Sequence, residues 1–144
     1  MTTWNPHLPG VVTLPDGRRV RGRGLSAGMP QGELAPEFAL YLTARPHSEP
    51  GWESRWVRWP DFRLPRDTDD AVDAIRDAYS RAGSAKVEIA CAGGTGRTGS
   101  AMAMLARLAG IPSADAVAWV RAHYRPRAVE TRRQRQWVAR TPLR

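Results

Sequence analysis

A predicted strand, Val87-Glu88-Ile89-Ala90, runs straight into Cys91-Ala92-Gly93-Gly94-Thr95-Gly96-Arg97, and an Ala-, Met- and Leu-rich stretch from Ser100 to Leu108 follows at once. Few architectures accommodate this order. A short apolar run bounded by glycines reads as a buried strand, and the longer run after it as a buried helix. A strand that feeds a helix through a glycine-rich turn belongs to an α/β layer, with the helix packed back on a mostly parallel sheet. The turn itself has chemistry. Backbone N–H groups converge in such a bend and the helix N-terminus favours negative charge, so the segment reads as an anion cradle. Gly93, Gly94 and Gly96 leave its backbone open to close approach.

The rest of the chain supplies the other layers. Val11-Val12-Thr13-Leu14 and Arg18-Arg19-Val20-Arg21 flank a Pro15-Asp16-Gly17 turn and predict an N-terminal β-hairpin on a sheet edge. Gly22 to Pro36 reads as loop. Phe38 to Leu42 predicts a buried strand, Ala44 to Gly51 a loop, and Trp56 to Trp59 a further strand stopped by Pro60. Asp67 to Asp70 sets caps and acids ahead of Val72, Ile75 and Tyr79, which predicts a helix ended by Gly83. Beyond Gly110 and Pro112, Ser113 is the expected cap of a helix carrying Val117, Trp119 and Val120. Thr131 opens a last, basic helix with Gln134, Trp137 and Val138. The expected fold is α/β: a mostly parallel central sheet flanked by helices, with the hairpin added. At 144 residues the chain has the size of one domain, taken as residues 1–144.

Composition narrows the function classes. Cys91 is the only cysteine, which excludes an internal disulfide and any reaction needing a second thiol of the same chain. His7, His47 and His123 are scattered and no zinc pattern is present. No apolar run approaches a membrane span, and the N-terminus lacks the basic and apolar regions of a secretory signal, so a cytoplasmic location is expected. The net charge is +8, and the last stretch, residues 121–144, sets eight arginines against one acid, Glu130. Lys86 is the only lysine. Arginine grips phosphate with a planar fork that lysine lacks. A basic face of this kind suits an anionic partner, or is a solvated surface.

Within the cradle, Arg97 stands six residues after Cys91. If the loop curls, the guanidinium clamps the anion that the sulfur faces. The same field favours the thiolate and makes Cys91 a nucleophile. Thr98 and Ser100 each offer a hydroxyl to the sulfur, and Thr98 is the better placed. A nucleotide P-loop is excluded, because Ser100 stands where its lysine is required.

Cys91 to Gly99 resembles the signature loop of the cysteine-dependent protein tyrosine and dual-specificity phosphatases, C-x-x-G-x-x-R-[ST]. Trp59-Pro60-Asp61 matches the same family's acid loop and lies thirty residues before the cysteine. The resemblance extends from about Phe38 to Val138, and the length is similar to that of compact, bacterial-type members. It implies that Cys91 attacks phosphorus and that the backbone of Ala92, Gly93, Gly94, Thr95, Gly96 and Arg97, with the Arg97 guanidinium, holds the phosphoryl oxygens. It implies that Asp61 is the general acid and then base, that Thr98 assists the thiolate's departure, and that no metal or organic cofactor is needed. Trp59, Glu130 and Gln134 are implied as supporting residues, with Glu130 and Gln134 at the two glutamine positions of the family's water-positioning loop. Ala90 stands where the family usually has histidine.

The implied substrate is a phosphorylated protein, phosphotyrosine first, with phosphoserine and phosphothreonine next. Phosphoinositides rank lower, since the loop carries no lysine, but the basic C-terminal segment keeps RNA 5′-phosphates and phosphoinositides open as alternative substrates. A non-catalytic phosphate- or nucleic-acid-binding module is the alternative from another class, against which the intact Cys91, Arg97 and Asp61 argue. Arsenate reduction requires further cysteines. Trp52, Trp56 and Trp59 either line a substrate face or cover the core. Arg58, Arg63 and Arg66 flank the acid loop, and Arg132, Arg133 and Arg135 mark the last helix; both sets suit acidic neighbours or plain solvation.

Overall fold

The computed structural model describes residues 3–28 and 34–144. Five strands form one sheet: β1 (Val11–Thr13), β2 (Arg19–Gly24), β3 (Phe38–Thr43), β4 (Glu53–Arg58) and β5 (Val87–Cys91), in the order β1-β2-β5-β3-β4. Four helices accompany them: α1 (Thr68–Arg81), α2 (Gly96–Leu108), α3 (Ala116–His123) and α4 (Arg132–Arg140). β1 pairs antiparallel with β2 as the predicted hairpin, and every other pairing is parallel. The hairpin therefore occupies one edge, and β5, formed late in the chain, lies in the middle.

Alternation along the strands sorts two faces. Phe38, Leu40 and Leu42 of β3, with Val87, Ile89 and Cys91 of β5, join the helices in the main core. Ala39, Tyr41 and Ala90 point the other way. All four helices contribute to the main core. The second face is covered instead by side chains and by the β3–β4 connection. There Glu88 is fully buried and paired with Arg21 and Arg23, Arg23 also holds Glu49 at 2.9 Å, and Tyr41 donates to Glu49 at 3.1 Å. Removing one member of such a buried ion cluster generally costs about 3–5 kcal/mol, because the remaining charges lose their partner.

Helix starts follow local chemistry. Asp67 caps α1, accepting from Asp70 N at 3.1 Å, and Ala71, Val72, Ala74, Ile75 and Ala78 bury one face. Thr131 caps α4 in a reciprocal box with Gln134. Several boundaries differ from expectation. β4 runs from Glu53 to Arg58 rather than from Trp56 to Trp59, because its pairing with β3 begins at Glu53 beside Phe38 and ends at Arg58 beside Thr43. β2 continues to Gly24, because pairing with β5 carries it through the glycines once read as loop; a single 3-10 turn, Leu25–Ala27, follows. Of the segment read as loop from Gly22 to Pro36, residues 29–33 lie outside the described residues. α2 begins at Gly96 rather than Ser100, since its first turn is built from loop residues that carry no apolar signal. Ser113 does not cap α3: a turn closes from Asp115 N to Pro112 O at 2.9 Å, and the helix starts after Asp115.

Candidate active site

Open α/β sheets bind ligands beyond the C-terminal ends of their strands. Cys91 ends the central strand and is 2% exposed. The chain then bends through residues 92–95 into α2, so the first helical turn carries Arg97 and Thr98. The Thr98 hydroxyl donates to Cys91 Sγ at 3.0 Å, and the Gly94 N–H reaches the same sulfur at 3.2 Å. Ser100, the other hydroxyl considered, turns away and donates to Gly96 O at 2.8 Å.

The loop's carbonyls are all engaged by the scaffold. Ala92 O accepts from Ser26 N at 3.1 Å, Gly93 O from Arg125 Nη1 at 2.9 Å, Gly94 O from the Tyr124 hydroxyl, and Thr95 O from Gly99 N at 2.8 Å. A peptide's N–H and C=O point in opposite directions, so tying the carbonyls to the frame leaves the N–H groups turned to the loop's interior. Two glycines make this possible. Gly94 has φ +73°, a conformation that side chains resist, and Gly22 on β2 leaves room for the Tyr124 ring, which a Cβ there would strike. Arg125 also donates to Thr95 Oγ1 at 3.0 Å.

Nothing in the sequence singled out Tyr124 and Arg125; they lie just past α3 and no spacing links them to the loop. Burial holds the Tyr124 hydroxyl well above the ordinary tyrosine range, so it stays a donor even in alkaline solution where a free tyrosine ionises. Tyr124→Phe removes one such bond. The expected result is a three- to tenfold loss of affinity for inorganic phosphate and a similar loss of kcat, the size of one hydrogen bond of about 1 kcal/mol. A lower Tm with unchanged phosphate affinity would assign the hydroxyl to folding alone.

The acid loop lies beside the cradle. Trp59 is fully buried, edge-on to Trp137 at 5.2 Å between ring centres, and its indole N–H donates to Arg63 O at 2.7 Å. Arg97, also buried, donates to Trp59 O at 3.0 Å and approaches Asp61 Oδ1 at 3.4 Å. One guanidinium thus spans cradle and acid loop. Its Nε is buried without a hydrogen-bond partner. Asp61 is exposed, and the adjoining Phe62 adopts φ 60° and stands 58% exposed, an aromatic that the sequence reading passed over.

The remaining candidates separate. The Glu130 carboxylate rests on Gly96, at the start of α2. Gln134 is fully buried, and its amide is spent on the frame. Its oxygen accepts from Glu130 N at 3.0 Å and Thr131 N at 3.2 Å, and its nitrogen donates to Arg63 O at 3.1 Å. Gln134 therefore fastens α4 to the Trp59–Arg63 loop. Trp52 and Trp56 lie on the second sheet face, bonded to Tyr41 Oη at 2.9 Å and Thr43 O at 3.1 Å, where they cover the core. Ala90 faces the same side, away from the loop.

Cys91, Arg97 and a loop whose carbonyls are tied outward stand together at one strand end, an arrangement suited to holding an oxyanion beside a thiol. The family model described as protein-tyrosine phosphatase matches residues 37–143, and the chain belongs to that family of cysteine-dependent phosphatases. Among solved structures, it is similar to Tk-PTP in the active form (TM-score 0.66, 24% identity, covering 89% of this chain and 92% of that one). A glycine-to-alanine mutant form of Tk-PTP also matches, with TM-score 0.62 and 26% identity over 72% of this chain and 74% of that one. No curated protein matches.

Proposed function

We propose that this phosphatase hydrolyses phosphate monoesters on proteins, phosphotyrosine foremost, with phosphoserine and phosphothreonine as further substrates, through Cys91 and Asp61. The observation that carries the reading is the buried, unpartnered Arg97 Nε in a loop whose carbonyls are all drawn outward: the donors suit a tetrahedral oxyanion set against the sulfur. Cys91 is buried, and a recessed sulfur suits tyrosine, whose phosphate stands farther from its backbone than that of serine.

In the first step, the Cys91 sulfur attacks phosphorus, the bond from phosphorus to the ester oxygen breaks, and Asp61 gives its proton to that oxygen. In the second, water attacks the cysteinyl phosphate, Asp61 takes a proton from the water, and the sulfur–phosphorus bond breaks. The Thr98 hydroxyl, already donating to Sγ, stabilises the thiolate that leaves. The loop N–H groups and Arg97 hold the equatorial oxygens in both steps. The single domain over residues 1–144 and a cytoplasmic location accord with this reading.

Asp61→Ala tests the acid. With phenyl phosphate, whose leaving group needs a proton, kcat is expected to fall about 10²- to 10⁴-fold. With p-nitrophenyl phosphate the loss should be much smaller. Equal losses on both would remove Asp61 from the role.

A further inference from the structure

Two clefts open on either side of Phe62, and they differ in charge. One, of about 460 Å³, is lined by Phe62, Arg121, Pro126, Arg127 and Glu130. Its Arg121 guanidinium is spent on Ala128 O at 2.8 Å and Val129 O at 2.7 Å, and Glu130 offsets Arg127. The other, of about 400 Å³, lies between the acid loop and α4. It is lined by Pro60, Phe62, Arg63, Leu64, Arg66 and Arg133. Its three arginines are exposed, and no carboxylate of the described residues pairs with any of them. Like charges set together repel, and a ligand of opposite charge relieves that repulsion. The cleft is also held in shape: Trp59 Nε1 and Gln134 Nε2 both donate to Arg63 O, pinning the loop to α4.

We propose that the Arg63–Arg66–Arg133 cleft takes an anionic side chain of the substrate polypeptide, a carboxylate or a second phosphate, within about three residues of the phosphate being removed. Arg63 stands two positions after Asp61, so at most about 7 Å of backbone lies between the cleft's edge and the acid. A short stretch of substrate bridges that span. Leu64, Pro60 and Phe62 give the cleft an apolar wall that suits a peptide's carbon chain. A nucleic-acid strand needs a longer basic track with several stacking aromatics, and here the rim offers one, Phe62. This inference rests on protein dephosphorylation as proposed above and names the sequence class that the site selects.

The test is steady-state kinetics on phosphotyrosine peptides that differ only in flanking residues: glutamate, phosphoserine, alanine or lysine. It uses the full chain and the double variant Arg66→Gln/Arg133→Gln. Both substituted side chains are exposed and make no side-chain hydrogen bond or ion pair among the described residues, and thermal melting checks that the variant is folded. The wild type is expected to prefer the glutamate or phosphoserine peptide over the alanine peptide by five- to tenfold in kcat/KM, expressed in KM, as for a few exposed ion pairs. The larger of the two preferences identifies the anion. The variant is expected to lose that preference while keeping its rate on p-nitrophenyl phosphate. Equal rates on all flanks, or a preference that survives in the variant, would overturn the inference. So would competition by single-stranded RNA that the variant abolishes, since the cleft's occupant would then be nucleic acid. Turnover of p-nitrophenyl phosphate with none of any phosphopeptide would instead overturn the protein-phosphatase reading beneath it.

Discussion

Cys91→Ser is expected to bring turnover of p-nitrophenyl phosphate down by about 10⁴-fold or more, to background, in buffer containing EDTA. A serine hydroxyl is a far weaker nucleophile near neutral pH than a thiolate, and loss of the nucleophile removes the covalent route altogether. The fold should survive. Cys91 is small and buried, and its two polar contacts, from the Thr98 hydroxyl and the Gly94 N–H, can be taken up by an oxygen. Inorganic phosphate should still bind, because the cradle's donors come from the backbone and Arg97. Substantial turnover by a well-folded serine variant would end the covalent mechanism. Loss of activity together with loss of phosphate binding would mean that the substitution had disturbed the loop rather than the chemistry.

Arg97→Lys is expected to have a large effect as well. The charge is kept, so the variant isolates the fork. Arg97 reaches Trp59 O and Asp61 at once and still presents Nε, three directions that a single ammonium on a flexible stem cannot serve together. A drop in kcat of about 10³-fold is expected, in the range seen when a preorganised donor to transition-state charge is lost. The acid loop should lose its anchor as well. The leaving-group dependence of the variant should therefore resemble that of Asp61→Ala, with the larger loss on phenyl phosphate. A variant that slows equally on both substrates would show that Arg97 binds phosphate without organising the acid.

The parts of the site that lie on one stretch of chain were legible in the sequence. Cys91, Arg97 and Thr98 share a loop whose residue types and spacing have few uses, and the strand and helix around it announce themselves by their apolar runs. Trp59-Pro60-Asp61 could be picked out because it is itself a contiguous pattern, and Asp61 lies 3.4 Å from Arg97. The supports were not legible, because they act across the fold. Tyr124 and Arg125 hold the carbonyls of Gly94 and Gly93 from some thirty positions away, and only the packing of α3 against α2 brings them there. Gln134 shows how a supporting residue can be placed without its contacts being foreseen. Its position pointed to the site, yet its amide is spent capping α4 and holding the acid loop. Gly22 and Gly24 read as loop residues by composition, and only their pairing with β5 shows them to be strand. Burial of Glu88 could not be read from its charge; it follows from Arg21 and Arg23 standing on the neighbouring strand.

The hairpin formed by β1 and β2 lies wholly before residue 37, where the family match begins. It nevertheless occupies the flank of β5 opposite β3, in register from Val20 beside Val87 to Gly24 beside Cys91. Its 3-10 turn then supplies the amide that holds Ala92 O. A fragment trimmed to the matched residues would keep every residue assigned to the chemistry and leave the flank of its own nucleophile strand bare. Unpaired N–H and C=O groups along such a flank recruit strands from other molecules. β1 and β2 thus close the flank of β5 that would otherwise stand open to strand pairing.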